Sequence, residues 1–259
     1  MGGYVMRPEW LISRPIAHRG LWDSDGHPEN SLAAFRQAVS RGVPFEFDVQ
    51  LSADGELAVV HDAVLGRLTG EQLRVGDLDR SSLRRLRIKG TGEHIPTIDE
   101  VLQIADGTPF IIDVRRWRQS AGGESGAVER AVAAAVRGYQ GPFAVQSFDP
   151  LTVLRLKRLV GDHPVGQASG HLRSAGRVAG AIGRVMITNA LTRPAYISYE
   201  LSALPSVAVS CWRRLGIPVL AWTVQSAAAE KQAAQVADNF FFDGYLPDTY
   251  DKSPQSTSS

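Results

Sequence analysis

The sequence predicts an α/β chain folded as a (β/α)8 TIM barrel, and two observations predict it. Short apolar runs alternate with segments of helical periodicity along nearly the whole chain, the signature of a parallel sheet flanked by helices. The length of 259 residues is close to the roughly 250 typical of such a barrel and long for a single two-layer domain. One large domain over residues 1–251 follows, and its hydrophobic content of 44% is enough to bury a sizeable core.

The first strand covers residues 14–17 and opens at His18-Arg19-Gly20, where the glycine permits the turn. The loop to Pro28 holds Asp23, Asp25 and Gly26 but lacks the downstream glutamate of an EF-hand, so it reads as a solvated loop. Asn30 or Ser31 caps the next helix, whose Leu32, Phe35 and Val39 recur at the spacing that faces a sheet; Gly42 stops it. Residues 44–51 form the second strand, and the Asp54-Gly55 turn leads into 57–60, a hairpin that delivers His61 and Asp62. From 63 to 96 the pattern loosens around one short helix at 79–86, before Thr97 caps a clear helix over 98–105.

The third strand, 109–114, carries Asp113 and ends at Arg115, and the two share a face by the period of two. A turn at Gly122-Gly123 leads to an Ala/Val-rich helix over 126–137, then a strand over 143–147, a helix over 150–160 and a strand over 164–168. Between 169 and 194 the pattern is ambiguous: a helix about Val178 and a strand over 185–188 both fit it, with 196–201 as the alternative sixth barrel strand. The remainder is clear: a helix over 205–215 stopped by Gly216, a strand over 218–224, an Ala-rich helix to Ala237 and a last strand over 239–243. The tail 252–259 is polar and predicted to be disordered.

Composition excludes several classes of protein. The 28 basic and 27 acidic side chains nearly cancel and form no basic block, which argues against nucleic acid as the partner. The first fifteen residues lack the apolar core of a signal peptide, and no apolar run reaches the roughly 18 residues of a membrane span. A cytoplasmic protein without membrane insertion is therefore expected. The single Cys211 falls in a helix and is expected to be a small buried apolar group. Nothing in the sequence indicates the oligomeric state.

The chemistry gathers between Ile16 and Asp62. His18 and His61 each end an apolar run, and between them Glu46 and Asp48 sit two apart on a third run. Both carboxylates project from one side of that strand while Phe45, Phe47 and Val49 face the other. Carboxylates side by side repel unless a cation lies between them. An all-oxygen set suits Mg2+ or Ca2+, and no Cys-rich or His-x-x-x-His spacing points to zinc. Imidazole titrates near neutral pH, so His18 and His61 are suited to proton transfer, with acid and base unassigned. His27, His94, His163 and His171 lack such a setting and are expected on the surface or in loops.

The order H-R-G (18–20), P-E-N-S (28–31), E-x-D (46–48), H-D (61–62) and R-x-T-G (67–70) resembles the glycerophosphodiester phosphodiesterase (GDPD) family. The resemblance continues through I-P-T-I-D-E-V-L (95–102), Q-S-F (146–148) and W-T-V (222–224), covering nearly the whole chain. It implies a phospholipase-C-like barrel that hydrolyses glycerophosphodiesters to glycerol 3-phosphate and an alcohol with one divalent cation, Mg2+ or Ca2+. His18 and His61 would be the acid/base pair; Glu46 and Asp48 would ligate the metal, with Asp113 as the third ligand. A small-molecule substrate would meet Arg19 and Arg115, with Trp222 and Gln146 lining the pocket or belonging to the barrel rim. Arg19 would reach the phosphate or else pair with Glu29, while Glu29 and Asn30 would hold His18 or Arg19 in place. Residues 63–96 would form a small inserted subdomain near the substrate entrance. Asp113 and Arg115 depart from the family pattern of glutamate followed two residues later by lysine. The shorter carboxylate brings the metal nearer its strand or has it reached through water, and the guanidinium offers a two-pronged phosphate contact. A lyase that stops at a cyclic phosphate, and a barrel that binds phosphorylated ligands without turnover, are the alternatives.

Overall fold

The computed structural model describes residues 8–116, 125–171 and 186–251. Alternation along the run F-E-F-D-V-Q-L sets its architecture. Phe45, Phe47 and Val49 pack outward with apolar residues of the surrounding helices, whereas Glu46, Asp48 and Gln50 take the opposite face, inside the barrel. The strands in chain order are β1 (Ile16–Ala17), β2 (Phe45–Leu51), β3 (Leu57–Val59), β4 (Phe110–Val114), β5 (Phe143–Ser147), β6 (Val165–Ser169), β7 (Tyr196–Glu200), β8 (Val219–Val224) and β9 (Asn239–Phe242). All but β3 run parallel, and β1 pairs with both β2 and β9, which closes an eight-stranded barrel. The hairpin strand β3 lies antiparallel on β2 with Val59 opposite Val49. The (β/α)8 class read from the sequence is the fold observed.

The helices Leu32–Ser40, Ile98–Ile104, Ala127–Ala135, Pro150–Leu159, Val207–Arg214 and Ala227–Val236 lie between the strands in sequence and cover the outside. Ser31, and not Asn30, caps the first of them: its Oγ accepts the Ala34 N–H at 3.1 Å. That helix buries Leu32, Ala34, Phe35 and Ala38, with Val39 at the edge of the contact. Phe35 lies with ring centroids 5.2 Å from Phe45 and 5.7 Å from Phe47, and Phe47 lies 5.5 Å from Phe110, an aromatic wedge between helix and sheet. Thr97 starts Ile98–Ile104 as expected, with the Glu100 carboxylate accepting the Thr97 N–H at 2.9 Å.

Within the barrel a second apolar cluster joins Ile16, Ile111, Ala144, Tyr196, Leu220 and Phe241, with Leu11 of the short helix Trp10–Ser13 packed beneath it. Asn239 pins that helix, its Nδ2 donating to the carbonyls of Leu11 at 2.9 Å and Arg14 at 2.6 Å. A side chain at Gly166 would strike the Tyr196 ring, the nearest atom only 2.3 Å from an added Cβ, so the glycine makes room for the tyrosine. The amino end of the barrel is thereby filled with apolar groups, and the polar side chains gather at the carboxyl end.

Several expectations need correction or comment. Residues 186–188 are not a strand: they form a turn that enters the short helix Asn189–Thr192, and Lys157 Nζ ties it to the helix Pro150–Leu159 by donating to the carbonyls of Thr192 at 2.8 Å and Arg193 at 2.7 Å. The strand that follows is β7. Cys211 is exposed, because Val207–Arg214 buries only Val209. The helix about Val178, the Gly122-Gly123 turn and the tail from Lys252 lie outside the described residues. Residues 63–96 build two short helices, Gly66–Thr69 and Arg80–Arg85, around an apolar cluster in which Leu65, Leu68, Val75, Leu83, Ile88 and Ile95 join Ala58 and Val60 of the hairpin. No described helix is long and apolar enough to cross a membrane.

Candidate active site

Parallel register assembles the acidic groups. Asp48 of β2 stands opposite Asp113 of β4, which in turn stands opposite Gln146 of β5. With Glu46 they form a buried triad whose ligand oxygens all lie within 4.8 Å of one another. Burial, then the Asp48 and Asp113 charges, push the Glu46 carboxyl well above its usual range. Burial also pushes Asp113 up to about 6, against the pull of Arg115. Asp48 moves the other way: burial works against its charge, but Arg115 and Arg19 hold it below the usual carboxylate range.

The contacts explain that contrast. Arg115 Nε donates to Asp48 Oδ1 at 2.7 Å, whereas its Nη2 lies 3.4 Å from Asp113 Oδ2. Asn30 Nδ2 donates to Asp48 Oδ2 at 2.9 Å, and Arg19 Nε lies 3.4 Å from the same oxygen. Asp113 Oδ1 is buried and has no hydrogen-bond partner among the described residues. With all three carboxyls ionised, as a bound cation would have them, the cluster is net negative against its two guanidiniums, and an all-oxygen donor set with an unpartnered buried oxygen fits a hard divalent cation.

The two histidines are built alike. His18, just past β1, places Nδ1 3.0 Å from Asp243 Oδ2, just past β9, and Gln225 Nε2 donates to the other Asp243 oxygen at 2.8 Å. His61, beyond β3, places Nδ1 2.7 Å from Asp62 Oδ1. An ionised carboxylate only accepts, so Nδ1 carries the proton in each neutral ring and Nε2 is the atom turned away from the carboxylate. Burial, together with Arg115 and Arg19, lowers the His61 pKa against the opposing pull of Asp48 and Asp62. Burial would raise Asp243, but His18 and Gln225 hold it below the usual range.

A cavity of about 170 Å³ brings these groups together. His18, Arg19, Glu46, His61, Asp113 and Arg115 line it, together with Gln146, Phe148, Ser198, Trp222, Thr223 and Phe241. The aromatic wall is ordered internally, with Phe148 edge-on to Trp222 at 5.7 Å and the Arg115 guanidinium 5.0 Å above the Phe148 ring. Trp222 and Gln146 thus line the pocket. Arg19 Nη1 pairs with Glu29 at 2.9 Å, and the Arg19 backbone N–H donates to Glu46 Oε2 at 2.9 Å. Of the two supporting residues, Glu29 pairs with the Arg19 side chain, while Asn30 turns its side chain to Asp48 and donates its backbone N–H to the Arg19 carbonyl at 2.9 Å.

Sequence reasoning missed Asp243, Ser198 and Arg67. Asp243 ends an apolar strand run just as His18 and His61 do, a signal available in the sequence; its pairing across 225 residues was not. Arg67 stood only as one letter of a motif.

A closed parallel barrel that gathers an acidic triad and two carboxylate-backed histidines at its carboxyl end belongs to the class of (β/α)8 proteins with their polar cluster at the carboxyl face of the strands. Within that class, the chain belongs to the Glycerophosphoryl diester phosphodiesterase family, whose profile matches residues 18–244. A glycerophosphodiester phosphodiesterase of Caldanaerobacter subterraneus subsp. tengcongensis is 38% identical over 106 residues, 38% of this chain and 43% of that protein. A lysophospholipase D of Rattus norvegicus is 34% identical over 118 residues, 40% of this chain and 37% of that protein. The chain thus spans less than half the length of these curated relatives. An Oleispira antarctica phosphodiesterase, solved in complex with its product sn-glycerol-3-phosphate, shares the fold with a TM-score of 0.75 at 23% identity, covering 90% of this chain and 94% of that one.

Proposed function

We propose that the protein is a divalent-cation-dependent phosphodiesterase that hydrolyses glycerophosphodiesters to glycerol 3-phosphate and an alcohol, with His18 and His61 as its acid/base pair. The observation that carries this reading is the pair of imidazoles, each held at Nδ1 by a carboxylate, on the wall of a cavity that also contains Glu46, Asp113, Arg19 and Arg115. Displacement at phosphorus needs one group to take a proton from the attacking hydroxyl and another to give one to the departing alkoxide. A substrate hydroxyl next to the phosphate attacks, one Nε2 accepts its proton, the P–O bond to the alcohol breaks and the other Nε2–H protonates the leaving oxygen. Water then opens the cyclic phosphate with the two roles exchanged.

Glu46, Asp48 and Asp113 would hold the cation, Mg2+ or Ca2+, which supplies positive charge to the non-bridging oxygens. Arg19 and Arg115 would add to that charge from the cavity wall, with Arg115 fixed mainly by Asp48. Trp222 and Gln146 would bound the space left for the glycerol or head group, and the 63–96 segment would meet the leaving alcohol. Phosphorus NMR of the purified protein with glycerophosphocholine, glycerophosphoethanolamine or a lysophospholipid, each with Mg2+, Ca2+ or chelator, tests the reading. Metal-dependent glycerol 3-phosphate is expected, with turnover reduced by about 10^2-fold or more in His18→Ala and His61→Ala. Accumulating cyclic phosphate would make the protein a lyase, and binding of all three substrates without turnover would make it a ligand-binding barrel.

A further inference from the structure

We propose that Arg67 is a positioning residue of this site, setting the orientation and tautomer of His61 through Asp62 and the orientation of Arg19 through Glu29. The inference rests on the reading of His61 as an acid/base group. Arg67 Nε donates to Asp62 Oδ2 at 2.7 Å; Nη1 donates to Glu29 Oε2 at 2.9 Å and Nη2 to Glu29 Oε1 at 2.6 Å. The other Asp62 oxygen meets His61 Nδ1 at 2.7 Å, and Glu29 Oε1 also accepts from Arg19 Nη1 at 2.9 Å. One guanidinium therefore spans the loops that follow β1 and β3, each of which carries a cavity-lining cation or imidazole.

The hold on Asp62 is needed because it follows His61 directly. Neighbours in extended chain point to opposite sides, so Asp62 reaches the imidazole only where the backbone folds back and the carboxylate is fixed at its far oxygen. Gln50 secures the backbone, its Nε2 donating to the carbonyls of Val60 and His61 at 2.8 Å each. Arg67 secures the carboxylate, and with His61 it keeps Asp62 below the usual carboxylate range although burial would raise it. The Arg67 side chain is 52% exposed, where ion pairs add little to folding stability, so the consequence of the arrangement is geometric.

The R-x-T-G motif gains a physical account from this. Leu65 and Leu68 root the turn in the apolar cluster of residues 63–96, Thr69 Oγ1 donates to the Leu65 carbonyl at 3.1 Å, and Gly70 ends the turn at φ +94°. The motif is a one-turn mount that aims a guanidinium. Lysine would keep the charge but not the fork that engages two carboxylates at once.

The test uses Arg67→Gln, Arg67→Lys, Asp62→Asn and the Arg67→Gln/Asp62→Asn double variant of the full chain. Readouts are kcat and KM for glycerophosphoethanolamine, thermal melting, and nitrogen-15 NMR of the His61 ring. Arg67→Gln is expected to lower kcat about tenfold with KM changed by about twofold at most, to leave melting nearly unchanged, and to mix the His61 tautomers. Arg67→Lys should recover less than half of that loss, and the double variant should be no worse than the poorer single one. Unaltered kcat and His61 ring signals in Arg67→Gln overturn the inference, and so do unaltered ring signals in Asp62→Asn should the Arg67 variants fail to fold. Retained activity in His61→Ala would instead sink the acid/base reading, while the His61 ring signals would still report whether Arg67 holds the wild-type imidazole through Asp62.

Discussion

Asp48 and Asp113 are register partners on adjacent strands, yet Asp48 stays ionised in spite of burial while burial raises Asp113 to about 6. The difference lies in which carboxylate Arg115 Nε engages. A carboxyl whose pKa is raised holds its proton until the pH exceeds that value, so a cation entering the triad competes with the proton on Asp113 and with the one on Glu46. Affinity for Mg2+ or Ca2+ is therefore expected to fall on acidification, about fourfold between about pH 7.5 and about pH 5.5 from Asp113 alone and further with Glu46. Calorimetric titration across that range checks it, and a flat profile would remove Asp113 from the ligand set. The E-x-D spacing displayed Glu46 and Asp48 at once, since a period of two suffices to put both on one face. Asp113 and Arg115 shared a face for the same reason. That Arg115 lies among the carboxylates as well as on the cavity wall depends on β4 sitting beside β2, which no local pattern encodes.

At the scale of elements, the Leu32–Ser40 helix is joined to β2 by Phe35, Phe45 and Phe47, and the acids occupy the reverse face of the same strand. Removing the Phe47 ring opens a void between helix and sheet without touching the triad. Phe47→Ala is expected to cost about 3–5 kcal/mol in chemical denaturation. Below the unfolding transition its affinity for a divalent ion should match the wild type, and a parallel loss of both would mean that the two faces of β2 are not independent. Elements with long periodic patterns were legible: the strand at Phe45–Leu51 and the helix at Pro150–Leu159 lie within a residue of their predicted limits. The run about 185–188 was not. Its short apolar stretch fits strand and turn equally, and the choice fell to the tertiary hold of Lys157 on the following carbonyls.

For the molecule as a whole, the parallel barrel was legible because eight strands had to alternate with helices in a chain of this length, leaving few topologies that bury them all. The order of chemical groups around the mouth followed from strand order. Pairings between the two ends of the chain did not, and one of them joins His18 to Asp243, 225 residues apart. It sits on the closing seam, where a first strand of only two residues touches both β2 and β9. Synthesis runs from the amino end, so His18 leaves the ribosome long before the carboxylate that orients it exists as a peptide. A chain clipped before Asp243 still contains Glu46, Asp48 and Asp113 and lacks the partner that holds its first imidazole. The hold on the His18 ring is withheld until the two ends of the barrel have met.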